Sequence, residues 1–280
     1  MNLDAFRLTH VISFAGVTRY AVASLGDEVF VPNCSSQIEV YDADNFTLQY
    51  CLTVPGFGPY CYGLVPCIRN NCLYASDWNN NSIHRVDLSD ANAVKWSVAH
   101  QPAGLSVNRA HNVVVTSHGV NKLQEYTTDG SLVREISLEQ AGLTNPWHAV
   151  QLSTGDFVVS HNTSPGVVSA AEVHEGLIKI ESVLMYDMSQ TSDVASISTV
   201  GEMKNPACLA VTNHGDILVA DTGNNRILSI NTSLSSMQQL ALPVDDGLKQ
   251  PFGLCLYESR GRLYVCEYAE GRVLVFECML

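Results

Sequence analysis

The sequence predicts an all-β fold, a six-bladed β-propeller of four-stranded antiparallel blades. A three-strand unit recurs along the chain, and its copies follow each other at about the 40–50 residues typical of one propeller blade. The last copy lacks an outermost strand, which an N-terminal segment can supply. At 280 residues with 46% hydrophobic content, the chain is expected to form one domain over residues 1–280.

The clearest copy of the unit lies near residue 210. Pro206–Val211 has the pattern of a first strand, Gly215-Asp216 that of a turn and Ile217–Asp221 that of a second strand, and a third strand begins at Arg226. A unit of this kind cannot bury both of its faces alone, so its copies are expected to stack side by side. Closure into a ring would remove the exposed sheet edges of an open row.

The copies align on the residue two positions after the proline, which is usually small. The spacings between successive copies are 43, 41, 44, 60 and 45 residues, and the aligned residues are Tyr20, Gly63, Gly104, His148, Cys208 and Gly253. A polar residue ends each second strand, at Asn33, Asp77, Ser117, His161, Asp221 and Glu267. Six copies predict six blades.

The sixth blade is predicted to be closed by the N-terminal segment. Its own strands are expected at 253–257, 263–267 and 272–278, and no fourth strand follows them. The segment Leu8–Phe14 has no copy of its own and has strand character. We therefore expect residues 8–14 to pair with the strand at 272–278 and to hold both ends of the chain in one sheet.

The motif Pro-x-Gly-apolar-x-Val, followed by Gly-Asp-apolar-x-Val-Ala-Asp-x-x-Asn-x-Arg, resembles the NHL repeat. The fifth copy (206–227) fits closely, the sixth well and the second moderately, while the others fit mainly by spacing, so the resemblance covers about residues 8–280. NHL propellers occur in tripartite-motif ubiquitin ligases and translational repressors, where they bind RNA or protein, and a related propeller is a zinc-dependent amidating lyase. The resemblance implies the fold and leaves both a binding module and an enzyme open.

The net charge and the hydropathy of the chain argue against two classes of partner, nucleic acids and membranes. The net charge of −13, from 15 basic and 28 acidic residues, opposes a polyphosphate, so nucleic acid is not expected as a ligand. No apolar run reaches the length of a membrane span, so no membrane partner is expected. The N-terminus also lacks a basic region followed by an apolar core, so we expect no signal peptide.

The cysteines indicate the compartment. Nine cysteines form an odd set without a Cys-x-x-Cys motif, which favours a reduced, cytoplasmic protein, expected to be a monomer. Asn-x-Ser/Thr sequons keep secretion open as an alternative. Cys67 and Cys72 flank a short turn and could face each other across a hairpin, which leaves a disulfide between them open.

Two aligned columns define the candidate site. In a propeller, each innermost strand starts on the face where the second strand ends, and we call this the top face. The predicted ligand-binding residues in these columns are Arg19, Tyr62, Trp78, Trp147, His161, Phe252, Glu267 and Tyr268. Aromatic side chains are common anchors for peptide and protein partners.

The aligned column also predicts a pocket. Tyr20 and His148 are the two bulky residues at the small position and belong to the first and fourth copies, so they are expected to face each other across the axis. The alternative is that they only plug the channel. The excess spacing of the fourth copy falls at residues 162–181, which are predicted to form a loop that covers the pocket or, alternatively, a tolerated surface insertion.

Three functions remain in competition. The first is a binding module that takes a small molecule, a peptide or a protein loop at the top face. The second is a lyase or hydrolase with Tyr20 and His148 as acid/base groups and Glu175 or Glu267 as carboxylate partner. RNA binding is supported by family analogy alone.

The binding module and the enzyme differ in the cofactor that is expected. No cofactor is expected for the binding module. For the enzyme, zinc held by His118, His148 and His161 is the alternative. Under either of these two functions, His148→Ala is expected to abolish binding or turnover with little loss of stability.

Overall fold

The computed structural model describes residues 5–14, 17–33, 35–138, 145–161, 203–231 and 236–279, together with the backbone of the short strands at 183–186 and 194–196. The strands form six groups of four. Blade 1 contains β2 (Ala23–Leu25), β3 (Glu28–Pro32), β4 (Gln37–Asp42) and β5 (Leu48–Thr53), and blade 2 contains β6 (Leu64–Cys67), β7 (Cys72–Asp77), β8 (Ser82–Asp87) and β9 (Ala93–Ser97). Blade 3 contains β10 (Pro102–Val107), β11 (Val113–Ser117), β12 (Lys122–Tyr126) and β13 (Leu132–Ser137).

The second half of the chain repeats this arrangement. Blade 4 contains β14 (Pro146–Gln151), β15 (Phe157–His161), β16 (Val183–Tyr186) and β17 (Val194–Ser196), and blade 5 contains β18 (Pro206–Val211), β19 (Ile217–Asp221), β20 (Arg226–Ile230) and β21 (Met237–Gln239). Blade 6 contains β22 (Pro251–Tyr257), β23 (Arg262–Glu267), β24 (Arg272–Cys278) and β1 (Phe6–Ser13). The helical segments in the described ranges are single 3-10 turns at Thr222–Asn224 and Glu258–Arg260.

Each group is one antiparallel sheet, and the six sheets form a ring. In blades 1 to 5 the strands pair in chain order from the innermost to the outermost, and in blade 6 the order is β22, β23, β24 and β1. The innermost strands contact each other in sequence, from β2 through β6, β10, β14 and β18 to β22, and β22 returns to contact β2. The predicted six-bladed β-propeller is therefore confirmed.

The N-terminal strand closes the ring as predicted. β1 pairs antiparallel with β24, with Leu8 opposite Phe276 and Ser13 opposite Arg272. Phe6 and Ile12 of β1 are buried, so the strand contributes apolar side chains as well as backbone hydrogen bonds. The blade that begins at Pro251 thus obtains its fourth strand from the other end of the chain.

The core consists of apolar layers between the sheets. The layer between blades 5 and 6, for example, joins Leu218 and Ile227 to Leu263, Leu274 and Phe276. Toward the axis the innermost strands approach so closely that side chains are excluded at some positions. A Cβ atom added to Gly63 would lie 2.7 Å from the carbonyl oxygen of Ala103 on β10, the innermost strand of the next blade, which explains the small residue there.

The structure also bears on two predictions about single features, the position of a cysteine pair and the lack of a membrane span. Cys67 and Cys72 are directly opposite each other in the β6–β7 pair, as predicted, and both are buried free thiols. No helix in the described ranges is long and apolar enough to cross a membrane. The predicted covering loop at 162–181 lies outside the described residues.

Candidate functional site

The small-residue column contains one alignment error. A Cβ on Gly104 would lie 2.4 Å from the carbonyl oxygen of Trp147, and a Cβ on Gly253 would lie 2.4 Å from that of Tyr20. Tyr20 therefore occupies the position of Trp147, and Ala21 occupies the small position of the first blade. Tyr20 and His148 are therefore not equivalent residues, and the repeat gives no basis for pairing them across the axis.

A shorter hairpin causes this shift. In blade 6, Tyr257 pairs with Arg262 across four residues, whereas in blade 1, Leu25 pairs with Glu28 across a two-residue turn. In the first blade, the small position and the polar residue that ends the second strand are therefore two residues closer along the chain than in blade 6. With the shorter turn, the small position of blade 1 lies 12 residues before Asn33, at Ala21, and not 13 residues before it, at Tyr20.

The corrected column gathers aromatic rings at the top face. Eight rings form a continuous cluster, which we call the aromatic face, with neighbouring ring centroids 4.7–6.5 Å apart. Its members are Tyr20, Tyr60, Tyr62, Trp78, His118, Trp147, Phe252 and Tyr268. Seven of them are half-buried, and Tyr60 is 41% exposed. The predicted residues Tyr62, Trp78, Trp147, Phe252 and Tyr268 are thus brought together.

Three rings from alternate blades close the centre of the aromatic face. The ring of Tyr62 lies 5.9 Å from those of both Trp147 and Phe252, and the ring of Trp147 lies 5.8 Å from that of Phe252. Edge-on contacts at this separation are favourable between aromatic side chains. These three side chains, predicted as pocket walls, instead meet over the axis and form a floor under the top face.

Two polar groups of the aromatic face, the Tyr62 phenol and the His118 imidazole, have pKa values shifted toward their neutral forms. Burial raises the pKa of the Tyr62 phenol to about 12, and the phenols of Tyr20 and Tyr60 act in the same direction. Burial also lowers the pKa of His118, whose ring lies 5.0 Å from Trp78 and 5.8 Å from Trp147. The rings therefore present π surfaces and neutral hydrogen-bonding groups.

The acidic residues of the second column are structural. The buried carboxylate of Glu267, predicted to bind ligand, accepts a hydrogen bond of 2.5 Å from the amide of Lys249 and pairs with Arg272. Asp221 accepts the amide of Lys204 at 2.6 Å and pairs with Arg226. These carboxylates join the segment entering a blade to the turn beside it, which corrects the assignment of Glu267 to the binding surface.

In blade 2 the carboxylate at the end of the second strand has a histidine as its side-chain partner in place of an arginine. Asp77 accepts hydrogen bonds from the amides of Gly58 and Asn80, and the ring of His84 lies 3.2 Å from its carboxylate. Accepting these bonds lowers the pKa of Asp77 although burial opposes the shift. The loop before β6, which carries Tyr60, is thereby attached to the turn that carries Trp78.

Arg19 does not belong to the aromatic face. It is only 4% exposed, its Nη2 lies 3.1 Å from a carboxylate oxygen of Glu39, and its guanidinium stacks 4.4 Å from the ring of Phe14. The charge is thus held between β4 and the N-terminal strand region. Its prediction as a ligand-binding residue is not supported by this position.

His148 is buried between three innermost strands. Its Nδ1 accepts a 2.9 Å hydrogen bond from the amide of Leu209 on β18, and its Nε2 lies 2.8 Å from the carbonyl oxygen of Leu105 on β10. Since an amide can donate only to an unprotonated nitrogen, the ring is neutral, with its proton on Nε2. Both nitrogens are therefore engaged by backbone, which leaves neither for acid/base chemistry.

The predicted zinc ligands do not form a cluster. His118 lies among the rings of the aromatic face, His148 lies between strands, and His161 is buried at the end of β15, opposite Pro146. Among the described residues, no group of three His, Cys, Asp or Glu side chains is placed to hold a metal ion. The geometry thus gives no support to the zinc alternative.

Below the aromatic face lies a cavity of about 330 Å³ along the axis. It is bounded at one end by Tyr62, Trp147 and Phe252 and extends to Gln151 and Tyr257, at the far ends of their strands. Its walls are the innermost strands of all six blades. We call it the axial cavity, and it is separate from the outer surface of the aromatic face.

The comparisons with known proteins agree with this architecture. The family model described as NHL repeat matches residues 203–228, the segment that contains β18, β19 and most of β20. The chain is a β-propeller in which one segment matches the NHL repeat. No curated protein matches the sequence of the chain.

Several solved structures share the fold of this β-propeller over almost its whole length. A streptogramin B lyase has a TM-score of 0.69 at 11% identity and covers 98% of both chains. A catalytically inactive virginiamycin B lyase from Staphylococcus aureus, solved with quinupristin, has a TM-score of 0.67 at 12% identity, covering 98% of this chain and all (100%) of the other. The hydrazine synthase of Kuenenia stuttgartiensis follows at 0.65 and 15%, covering 95% and 97%. At such low identity, these similarities establish the fold alone.

Sequence reasoning missed two features of the site. Tyr60 lies in the loop before β6 and outside both aligned columns, so only the three-dimensional position of that loop brings it to the aromatic face. The Pro59-Tyr60 pair next to Cys61-Tyr62 was the available signal, because an aromatic pair two residues apart leads directly into an innermost strand. The backbone hydrogen bonds of His148 left no trace in the sequence.

Proposed function

We propose that this β-propeller is a binding module whose aromatic face takes a peptide or a protein loop. The observation that supports the proposal is the convergence of eight rings from five blades on one surface, all of them half-buried or exposed. Rigid aromatic side chains bury large apolar area at small entropic cost, which makes them effective anchors in interfaces.

The partner is expected to carry basic side chains beside its apolar anchors. The protein has a net charge of −13, so a cationic segment is attracted over a distance. Neutral π surfaces also favour a guanidinium or ammonium group placed over a ring. Arg19 does not compete for these rings, because its guanidinium is held by Glu39 and Phe14.

The proposal is tested with peptides selected from a phage-displayed library on the wild-type protein. The affinity of the enriched peptides is then measured by calorimetry for the wild type, Tyr60→Ala and Trp78→Ala. We expect each variant to weaken binding by about tenfold or more, the size typical of an interface anchor. The selected peptides are expected to be rich in Arg or Lys together with apolar residues.

Tyr50→Ala is the matched control. Tyr50 is 44% exposed, close to the 41% of Tyr60, but it lies on β5, the outermost strand of blade 1. Its removal is expected to leave peptide affinity unchanged. A library that yields no binder, or binders that lose no affinity in Tyr60→Ala and Trp78→Ala, would contradict the proposal.

An enzyme of the lyase type is the second candidate. It is favoured by the solved propellers named streptogramin B lyase and virginiamycin B lyase, which share the fold over 98% of this chain. It ranks second because the catalytic candidate His148 has both ring nitrogens bound to backbone. For this test the purified protein is incubated with quinupristin and the mixture is separated by liquid chromatography, because an intramolecular elimination gives a product of unchanged mass. A new product peak would support the enzyme, and an unaltered chromatogram would favour the binding module.

A further inference from the structure

The axial cavity is a space that the proposed peptide site does not use. Tyr62, Trp147 and Phe252 separate it from the outer surface of the aromatic face, and its opposite end reaches the last residues of the innermost strands. Ile68, at that opposite end, is 77% exposed, which places this end of the cavity next to solvent. A volume of about 330 Å³ lies within the range of small-molecule sites.

The lining of the cavity is uncharged. None of its described lining residues is Asp, Glu, Lys or Arg, although 15% of the whole sequence is charged. Most of the wall consists of aliphatic side chains, among them Val22, Leu64, Leu105, Leu209 and Leu254. His148 also lines the cavity, but its ring is neutral and both of its nitrogens are bound to backbone. An ion placed there would lose its hydration without gaining a charged partner, so the cavity excludes charged ligands and favours neutral apolar ones.

One polar group in the wall is unused. Ser106 on β10 is 7% exposed, and its Oγ is buried without a hydrogen-bond partner in the described structure. The hydroxyl of Ser24, which also lines the cavity, instead donates to the carbonyl oxygen of Glu28. An unpaired buried hydroxyl is costly unless water or a ligand completes it.

From these observations we propose that the axial cavity binds a neutral, mainly apolar small molecule that carries one hydrogen-bonding group. The apolar body lies against the aliphatic walls and the underside of the central rings. The polar group pairs with Oγ of Ser106. This site is distinct from the aromatic face and does not depend on the proposed peptide partner.

The test uses three molecules of similar size, namely naphthalene, 2-naphthol and 2-naphthoate, in equilibrium dialysis against the full chain. We expect 2-naphthol to bind at least tenfold more tightly than 2-naphthoate, because the cavity holds no cation to pair with a carboxylate. Ser106→Ala is expected to weaken 2-naphthol about fivefold, the size of one neutral hydrogen bond, and to leave naphthalene within twofold.

Two further variants locate the binding. Ala210→Phe places a ring into the cavity from β18 and is expected to abolish binding of 2-naphthol and naphthalene, whereas Ala110→Phe, in an exposed turn, changes neither. Trp78→Ala lies on the aromatic face outside the cavity lining and is expected to leave both affinities unchanged. Should Ala210→Phe fail to fold, the comparison of 2-naphthol with naphthalene in Ser106→Ala still decides.

The proposal is overturned if the wild type binds neither neutral molecule, or if 2-naphthoate binds as tightly as 2-naphthol. It is also overturned if Trp78→Ala abolishes binding while Ala210→Phe leaves it intact, because the molecules would then occupy the aromatic face. Failure of the peptide selection alone leaves this site standing, so the two proposals fail separately.

Discussion

At the scale of single residues, His148 shows how one side chain changes its meaning when its surroundings are known. A bulky, titratable residue at a position that is small in other blades suggested a pocket. The structure instead places its ring beside Gly104, where a Cβ would lie 2.4 Å from His148 Cδ2. The missing side chain of Gly104 thus makes room for the imidazole, which connects β10, β14 and β18.

His148→Ala is therefore expected to destabilise the fold. The change leaves the amide of Leu209 and the carbonyl of Leu105 without their partner and opens a void beside Gly104. The free energy of unfolding should fall by about 2–4 kcal/mol in chemical denaturation. His214→Ala, in an exposed turn of blade 5, is the control and should stay within about 0.5 kcal/mol of the wild type. Full stability with lost peptide binding in His148→Ala would restore His148 as a site residue.

His118 gives a prediction for pH. Burial lowers its pKa in the folded state, while in the unfolded chain it titrates near the ordinary value of about 6.5. The unfolded state then takes up the proton first, so the contribution of His118 to stability is complete above pH about 6.5 and declines as the pH falls below it. We expect the NMR titration midpoint of His118 below 6.5 and a flatter stability profile in His118→Asn. A midpoint above 6.5 would contradict the burial argument.

At the scale of elements, the spacing of the blades along the chain is predictable from the sequence, whereas the number of residues in each hairpin turn is not. The repeat fixed where strands begin because each first strand must place its small residue against the next strand, as the 2.7 Å approach at Gly63 shows. A hairpin tolerates two or four residues between the same strands, as in blades 1 and 6. Sequence spacing alone does not distinguish these turns, so Tyr20 was assigned to the wrong column.

The function of the polar residues that end the second strands is also not predictable from the repeat alone. Glu267 and Asp221 end their strands on the same face as Trp78 and Tyr268, and the pattern alone cannot separate a ligand site from a structural cap. The distinction depends on burial and on the amides of the segment that enters the blade, such as that of Lys249. Contacts of this kind join residues from separate segments, which a one-dimensional pattern does not contain.

At the scale of the whole molecule, the ring separates two surfaces with different chemistry. The top of the axis is closed by rings that present neutral π surfaces outward, and the space beneath is enclosed by uncharged strands. The closed ring is what permits this division, because the innermost strands surround the axis only when β22 meets β2. Both proposed sites therefore depend on the same closure.

The last prediction concerns that closure. Deletion of residues 1–15 removes β1, which buries Phe6 and Ile12 and pairs with β24 along its length, and also removes the buried Phe14. Full burial of each such side chain contributes about 1.5–3 kcal/mol, so the loss is comparable with the total stability of a domain, and β24 becomes an exposed edge. We expect the truncated protein to be unfolded or aggregated, as judged by solubility and melting temperature.

A circular permutant serves as the control, because it keeps the β1 residues but attaches them to the other end of the chain. In the native ring the amide of Met279 donates a 2.9 Å hydrogen bond to the carbonyl oxygen of Ala5, so the end of β24 lies beside the start of β1. Joining residues 5–14 after residue 279 through a short linker, with a new N-terminus at residue 17, should restore the strand and the melting temperature. A soluble truncated protein that melts at the wild-type temperature would show that the ring does not need β1.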